Sequence, residues 1–132
     1  MKRKTKIIVL WLLTICGFAS HSITDMLPMF WGKNVAIATD GVVPGGMVAF
    51  MMLLSFFLPA FAILCLLADG KGKALKWVNA VLAGFMALFN IAHGFMELPS
   101  DNVGQYLVLP MMVVIGLYLA YLSFKFVRQD EQ

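Results

Sequence analysis

The chain contains two histidines, and each is followed four residues later by a carboxylate. His21 precedes Asp25, and His93 precedes Glu97. Since residues four apart lie on one face of a helix, each pair projects an imidazole and a carboxylate together. Imidazole changes charge near neutral pH and is also a common metal ligand. The two pairs are therefore candidates for binding a cation, either a proton or a metal ion.

The composition indicates that most of the chain is surrounded by lipid. Of its 132 residues, 61% are hydrophobic and only 13% are charged. A soluble domain is typically about half apolar and about a quarter charged. These values exclude a disordered chain and an ordinary water-soluble enzyme. The net charge of +3 is too small to indicate a nucleic-acid partner.

Four apolar stretches are long enough to cross a bilayer, which takes about 20 residues in a helix. They must be helical, because backbone polar groups cannot stay unpaired in hydrocarbon and the stretches are too long and continuous for barrel strands. The sequence therefore predicts an all-α integral membrane protein, a four-transmembrane-helix bundle that forms a single membrane domain over residues 1–132. The predicted spans are residues 7–31, 44–67, 77–98 and 106–127.

The basic residues predict the orientation. All of them except Lys33 lie before the first span, between the second and third, or at the end of the fourth. Because basic residues are enriched on the cytoplasmic side, both termini are expected in the cytoplasm of a multi-pass protein of the cell (plasma or inner) membrane. The residues on that side are Lys2, Arg3, Lys4, Lys6, Lys71, Lys73, Lys76, Lys125 and Arg128.

The two histidines are predicted at similar depth. His21 lies about 21 Å along the helix from Ile7, and His93 about 24 Å from Trp77. Ionisable groups within a span nearly always face the bundle interior, so the two histidine-bearing faces are expected to face each other. The alternative is that each histidine pairs only with its own carboxylate at a wet helix end. The predicted site residues are His21, Asp25, Asn90, His93 and Glu97.

The chain also allows an interpretation as two helical-hairpin repeats, residues 7–67 and 77–127. Each first span ends with the histidine, the carboxylate and a proline, and each second span contains an internal proline, Pro59 or Pro110. Since the first and third spans run in the same direction, the repeats would be parallel, related by an axis along the membrane normal.

Several ligands remain open at this stage. Two imidazoles and two carboxylates (His21, His93, Asp25 and Glu97) suit zinc, iron or manganese, and nearby methionines would favour Cu(I). Chains of histidines and acids also relay protons. A third possibility is a quinone or lipid, whose polar head a histidine would bind. The last is a structural membrane partner without a ligand, within a homo-oligomer or a larger complex.

The third and fourth spans resemble a known family. His93 followed by Gly94, and the later segment from Tyr106 to Pro110, are similar to the DoxX-like group of small four-span bacterial membrane proteins. The resemblance covers mainly residues 77–124 and implies an inner-membrane accessory subunit of a quinone-linked redox system. The glycine and basic residue that commonly follow the first span in that group are replaced here by the segment from Asp25 to Pro28. The leading hypothesis remains a cation site for transport or redox coupling, and whether the protein is an enzyme stays open.

Overall fold

Four long apolar helical segments make up the protein. The computed structural model describes residues 1–36, 41–68 and 72–128, and these residues contain helices but no strand. The first segment is α1 followed by a 3-10 turn, the second is α2 and α3 joined by a π-helical turn, and the last two are α4 and α5. Their bounds are α1 Arg3–Met26, 3-10 turn Leu27–Trp31, α2 Gly45–Met52, π turn Leu53–Phe57, α3 Leu58–Leu67, α4 Lys73–Glu97 and α5 Gln105–Arg128.

All four segments are long and apolar enough to cross a membrane, which confirms the four predicted spans. The surface supports the same conclusion, because large apolar side chains point outward along the helices. Leu88 is 70% exposed, Leu107 is 77% exposed and Val114 is 60% exposed. A helix that is apolar on its outer as well as its inner face has lipid as its natural solvent. The chain is a small multi-pass membrane protein. Lys71, used above for orientation, lies outside the described residues.

The helices pack as a ring in which α1 and α4 are diagonal to each other. Helix α5 packs against both α1 and α4, and α3 packs against the same two helices from the opposite side. The core between them is closed by large apolar side chains from three of the helices. Its fully buried members include Ile7, Trp11, Met86 and Leu119.

Side-chain hydrogen bonds cross the diagonal. The indole Nε1 of Trp11 donates to Asn79 Oδ1 over 2.8 Å, and both side chains are fully buried. The amide nitrogen of Asn79 has no hydrogen-bond partner among the described residues. This bond links α1 to α4 near the N-terminal ends of both helices. A second link joins the two helices near their C-terminal ends.

The second segment is divided in two. Its π-helical turn, Leu53–Phe57, ends two residues before Pro59, which has no N–H to donate to the preceding turn. Helix α3, which follows the turn, packs in the bundle. By contrast, no residue of α2 is buried, and no α2 Cα lies within 8 Å of a Cα of α1, α4 or α5. Helix α5, in contrast, continues through Pro110. The two halves of the chain thus differ at their prolines, and the internal repeat stays a prediction.

We expect Trp11→Phe to lower the free energy of unfolding by about 1–3 kcal/mol, because it leaves both polar atoms of the buried Asn79 amide unpaired. Adding Asn79→Leu to that variant should restore much of the loss, since the orphaned amide is then gone. Unfolding in mixed detergent micelles measures both. A double variant as unstable as Trp11→Phe alone would contradict this account.

Candidate functional site

The two histidines contact each other directly across the bundle. His21 Nε2 and His93 Nε2 lie 3.1 Å apart, and the rings meet edge to face with centroids 4.9 Å apart. The His21 side chain is only 12% exposed. A hydrogen bond between two ring nitrogens needs exactly one hydrogen, so one imidazole donates and the other accepts.

Gln105, the first residue of α5, decides which histidine donates. Its amide nitrogen donates to Asp25 Oδ1 and points at the backbone oxygen of His21, 3.4 Å away. The amide oxygen therefore faces His21 Nδ1 over 2.8 Å and must accept a hydrogen from it. Neutral His21 then carries its hydrogen on Nδ1 and a lone pair on Nε2. It follows that His93 Nε2–H is the donor between the rings.

The start of α5 is held against α1 by a close approach at Gly104. A Cβ on Gly104 would lie 2.5 Å from Thr24 Cγ2. Thr24 cannot easily turn away, because its hydroxyl donates to Ser20 O over 2.7 Å. Asn102 adds a second tie, donating to Thr24 O over 2.6 Å while its side-chain oxygen accepts from the Gly104 N–H. These contacts fix Gln105 beside His21.

Asp25 connects the site to the aqueous end of the bundle. Its side chain is 53% exposed, and its Oδ2 lies 3.6 Å from His21 Nε2. With Gln105 on the other carboxylate oxygen, Asp25 contacts the histidine both directly and through the amide.

The other two predicted site residues are placed differently. Asn90 is buried, but its amide donates to Met112 O over 3.0 Å, and its Oδ1 has no partner among the described residues. The closeness of α4 to α5 at this level depends on Gly116, whose Cβ would lie 3.0 Å from Asn90 Nδ2. Glu97 is exposed at the end of α4. The histidines, Asp25 and Gln105 thus form the hydrogen-bonded cluster.

The described residues contain no group of three or more histidines, cysteines, aspartates or glutamates arranged to hold a metal ion. The proposed ligand set of His21, His93, Asp25 and Glu97 is therefore not assembled around one point. The methionines do not complete a copper site either, since most of those in the outer third face outward. Their exposures are Met26 51%, Met29 56%, Met47 49%, Met51 51%, Met52 54%, Met96 84% and Met111 58%.

Phenylalanines line the α2 side of His93. Phe89 stacks on the His93 ring, with centroids 5.5 Å apart and planes 12° apart. The Phe89 ring also lies near Phe18, Phe50 and Phe85, at centroid distances of 6.2, 6.5 and 6.5 Å. One imidazole face of the pair is thereby shielded by aromatic carbon.

No protein-family model matches the chain, and neither a curated protein nor a solved structure matches it.

Gln105 is the functional residue that the sequence analysis missed. The signal for it was its position, directly after a polar segment and directly before the first apolar residue of the fourth span. At the first position of a transmembrane helix, the orientation of an amide side chain is set by its contacts with neighbouring residues. The residue that anchors it, Gly104, carries no pattern of its own in a single sequence.

We expect Gly104→Ala to destabilise the protein by about 1–3 kcal/mol through overpacking against Thr24. The matched control is Gly94→Ala, one residue from His93, where a Cβ would be 3.8 Å from Val113 Cγ2, an ordinary contact. Because alanine favours a helix interior over glycine, the control should be neutral or slightly stabilising. Equal losses in the two variants, measured by unfolding in detergent, would contradict the close approach of α5 to α1.

Proposed function

We propose that the protein binds and releases a proton at the His21–His93 pair in the outer half of the membrane, as part of transport or redox coupling. The observation that carries this proposal is the single hydrogen bond of 3.1 Å between the two Nε2 atoms, with Gln105 fixing the hydrogen on His21 Nδ1. Chains of histidines and acids inside membranes are a recurrent means of moving protons.

The pair holds one excess proton without losing its hydrogen bonds. In one state His93 is the imidazolium and donates from Nε2 to neutral His21. In the other, the proton between the rings has passed from His93 Nε2 to His21 Nε2, so His21 is the imidazolium and donates to His93, which keeps its hydrogen on Nδ1. Both states keep the bond from His21 Nδ1 to Gln105 Oε1. A second excess proton would place an N–H on both facing nitrogens, which breaks the bond between the rings.

Asp25 would act as the counter-charge, because its Oδ2 lies 3.6 Å from His21 Nε2. Below the pair, the core is closed by apolar side chains such as Met86 and Leu119, both fully buried. Because the core is closed, we favour a proton that binds and leaves on one side of the membrane over a proton that crosses through a continuous water-filled path. The distribution of basic residues supports cytoplasmic termini, which would place the histidines toward the outside.

The hydrogen positions give a direct test. We expect nitrogen NMR of histidine-labelled protein, in its neutral form, to find the hydrogen on Nδ1 in His21 and on Nε2 in His93. Gln105→Leu should release His21 from this tautomer, since the acceptor for Nδ1–H is then lost. If neutral His21 in the wild type carries its hydrogen on Nε2, the proposed proton binding at the histidine pair is contradicted.

The pair should also act as a unit in its response to pH. Histidine is the side chain that ordinarily titrates between about pH 5 and 8, and both histidines of the chain lie in this site. We expect His21→Gln and His93→Gln each to abolish the change in thermal stability across that range, and the double variant to lose no more than either single one.

Carboxylate variants provide the controls for this pH experiment. Asp25→Asn should weaken proton binding because it removes the counter-charge beside His21. Glu97→Gln is the matched control, since Glu97 is also an i+4 carboxylate but is exposed at the end of α4. Equal effects of the two substitutions, or an unchanged pH response in both histidine variants, would rule out the proposed role of the pair.

A second candidate function is binding of a quinone or another apolar molecule with a polar head. The separation of α2 from α4, beside the aromatic cluster at Phe89 and His93, favours it. This candidate predicts an organic molecule that co-purifies with the protein and is lost in His93→Ala, whereas the proton proposal requires none.

A further inference from the structure

A basic cavity lies at the opposite end of the bundle from the histidines, where α1 begins and α5 ends. It has a volume of about 390 Å³ and is lined by Arg3 and Lys6 of α1 and by Tyr118, Tyr121 and Lys125 of α5, among others. Three cationic side chains from two helices thus converge on one space. Two tyrosines add hydroxyl groups that can donate hydrogen bonds.

Among the described residues, nothing of opposite charge neutralises this cavity. The described acidic residues, Asp25, Glu97 and Asp101, all lie at the other end of their helices or in the connection between α4 and α5. The contact that Lys125 makes is with a neutral group, since its Nζ lies 3.3 Å from the Tyr121 hydroxyl and 5.6 Å from that ring's centroid. The first turn of α1 contains no acidic residue and its N-cap makes no side-chain hydrogen bond. The N-terminal end of a helix adds partial positive charge.

A second cavity adjoins the first and has a different character. It measures about 490 Å³ and is lined by Tyr121, Phe124, Lys125 and Arg128, so Tyr121 and Lys125 border both spaces. Phe124 packs against Trp77 of α4, and the two rings meet edge to face with their centroids 6.4 Å apart. The first space therefore continues into one lined by two aromatic rings and two cationic side chains, at the end of the membrane-spanning segments.

We propose that these joined cavities bind one anionic phospholipid, with the phosphate held by Arg3, Lys6 and Lys125 and an acyl chain lying along Tyr121 and Phe124. Basic pockets between helix ends on the cytoplasmic side are suited to anionic headgroups. The aromatic continuation distinguishes a lipid from free phosphate, because only a lipid has a part that fills it. This inference does not depend on the proton proposal.

Native mass spectrometry of the detergent-solubilised protein can count the bound lipids. We expect the wild type to retain one phosphatidylglycerol and to prefer it over phosphatidylcholine with the same acyl chains. Since each basic residue near an anionic headgroup contributes roughly fivefold in affinity, Arg3→Gln/Lys6→Gln/Lys125→Gln should weaken binding by about 100-fold.

The control is a triple variant with the same loss of charge at the same end of the protein, Lys2→Gln/Lys73→Gln/Lys76→Gln. None of these three lysines borders the cavities. If the cavity is the site, the control should bind phosphatidylglycerol within about threefold of the wild type, because only the general surface potential changes. Equal losses in the two triple variants would overturn the proposal in favour of nonspecific attraction.

Two further measurements complete the test. Lys6→Gln/Lys125→Gln leaves the half-buried Arg3 in place, so a loss of about 25-fold in this variant supports the site even if the triple variant unfolds. Inorganic phosphate should compete poorly with the lipid. Competition by phosphate at concentrations equal to those of the lipid would show an anion site without lipid recognition, and would overturn the assignment.

Discussion

The absence of water in the bilayer core is the constraint on which this arrangement depends. A polar side chain there is stable only if another part of the protein completes its hydrogen bonds. The diagonal helices α1 and α4 meet part of this requirement together, through the Trp11 indole and the Asn79 side-chain oxygen near one end and through the two histidines near the other. The same bonds that satisfy these groups also set the rotation of α1 relative to α4.

The site is more asymmetric than the paired motifs of the sequence. His21 is tied to Gln105 and Asp25, whereas His93 is stacked on Phe89 and its i+4 carboxylate is exposed. The two imidazoles are therefore chemically different although the motifs that contain them look alike. An asymmetric pair favours a defined resting position for its shared hydrogen, since among the described residues His21 is the ring with a hydrogen-bond acceptor, Gln105 Oε1, on its far side.

The sequence predicts the number of spans well because a long run of apolar residues has few alternatives in a membrane. It also identifies the inward faces of α1 and α4, since ionisable and amide groups such as His21 and Asn79 avoid lipid. It does not predict Gln105, because the contact depends on how closely Gly104 approaches Thr24 in three dimensions. Nor does it reveal that α2 leaves the bundle, since residues 45–67 are uniformly apolar and give no periodic signal.

The π-helical turn at Leu53–Phe57 has a consequence for how the bilayer meets the protein. Below the turn, α3 is a wall of the bundle; above it, α2 stands apart and is bridged to α4 by the rings of Phe50 and Phe89. No residue of α2 is buried, so the wedge between these two helices is open on either side of that ring contact. The wedge borders the ring that stacks on His93. A shift of α2 against α4 would therefore reach the imidazole pair through Phe89, which contacts both Phe50 and His93.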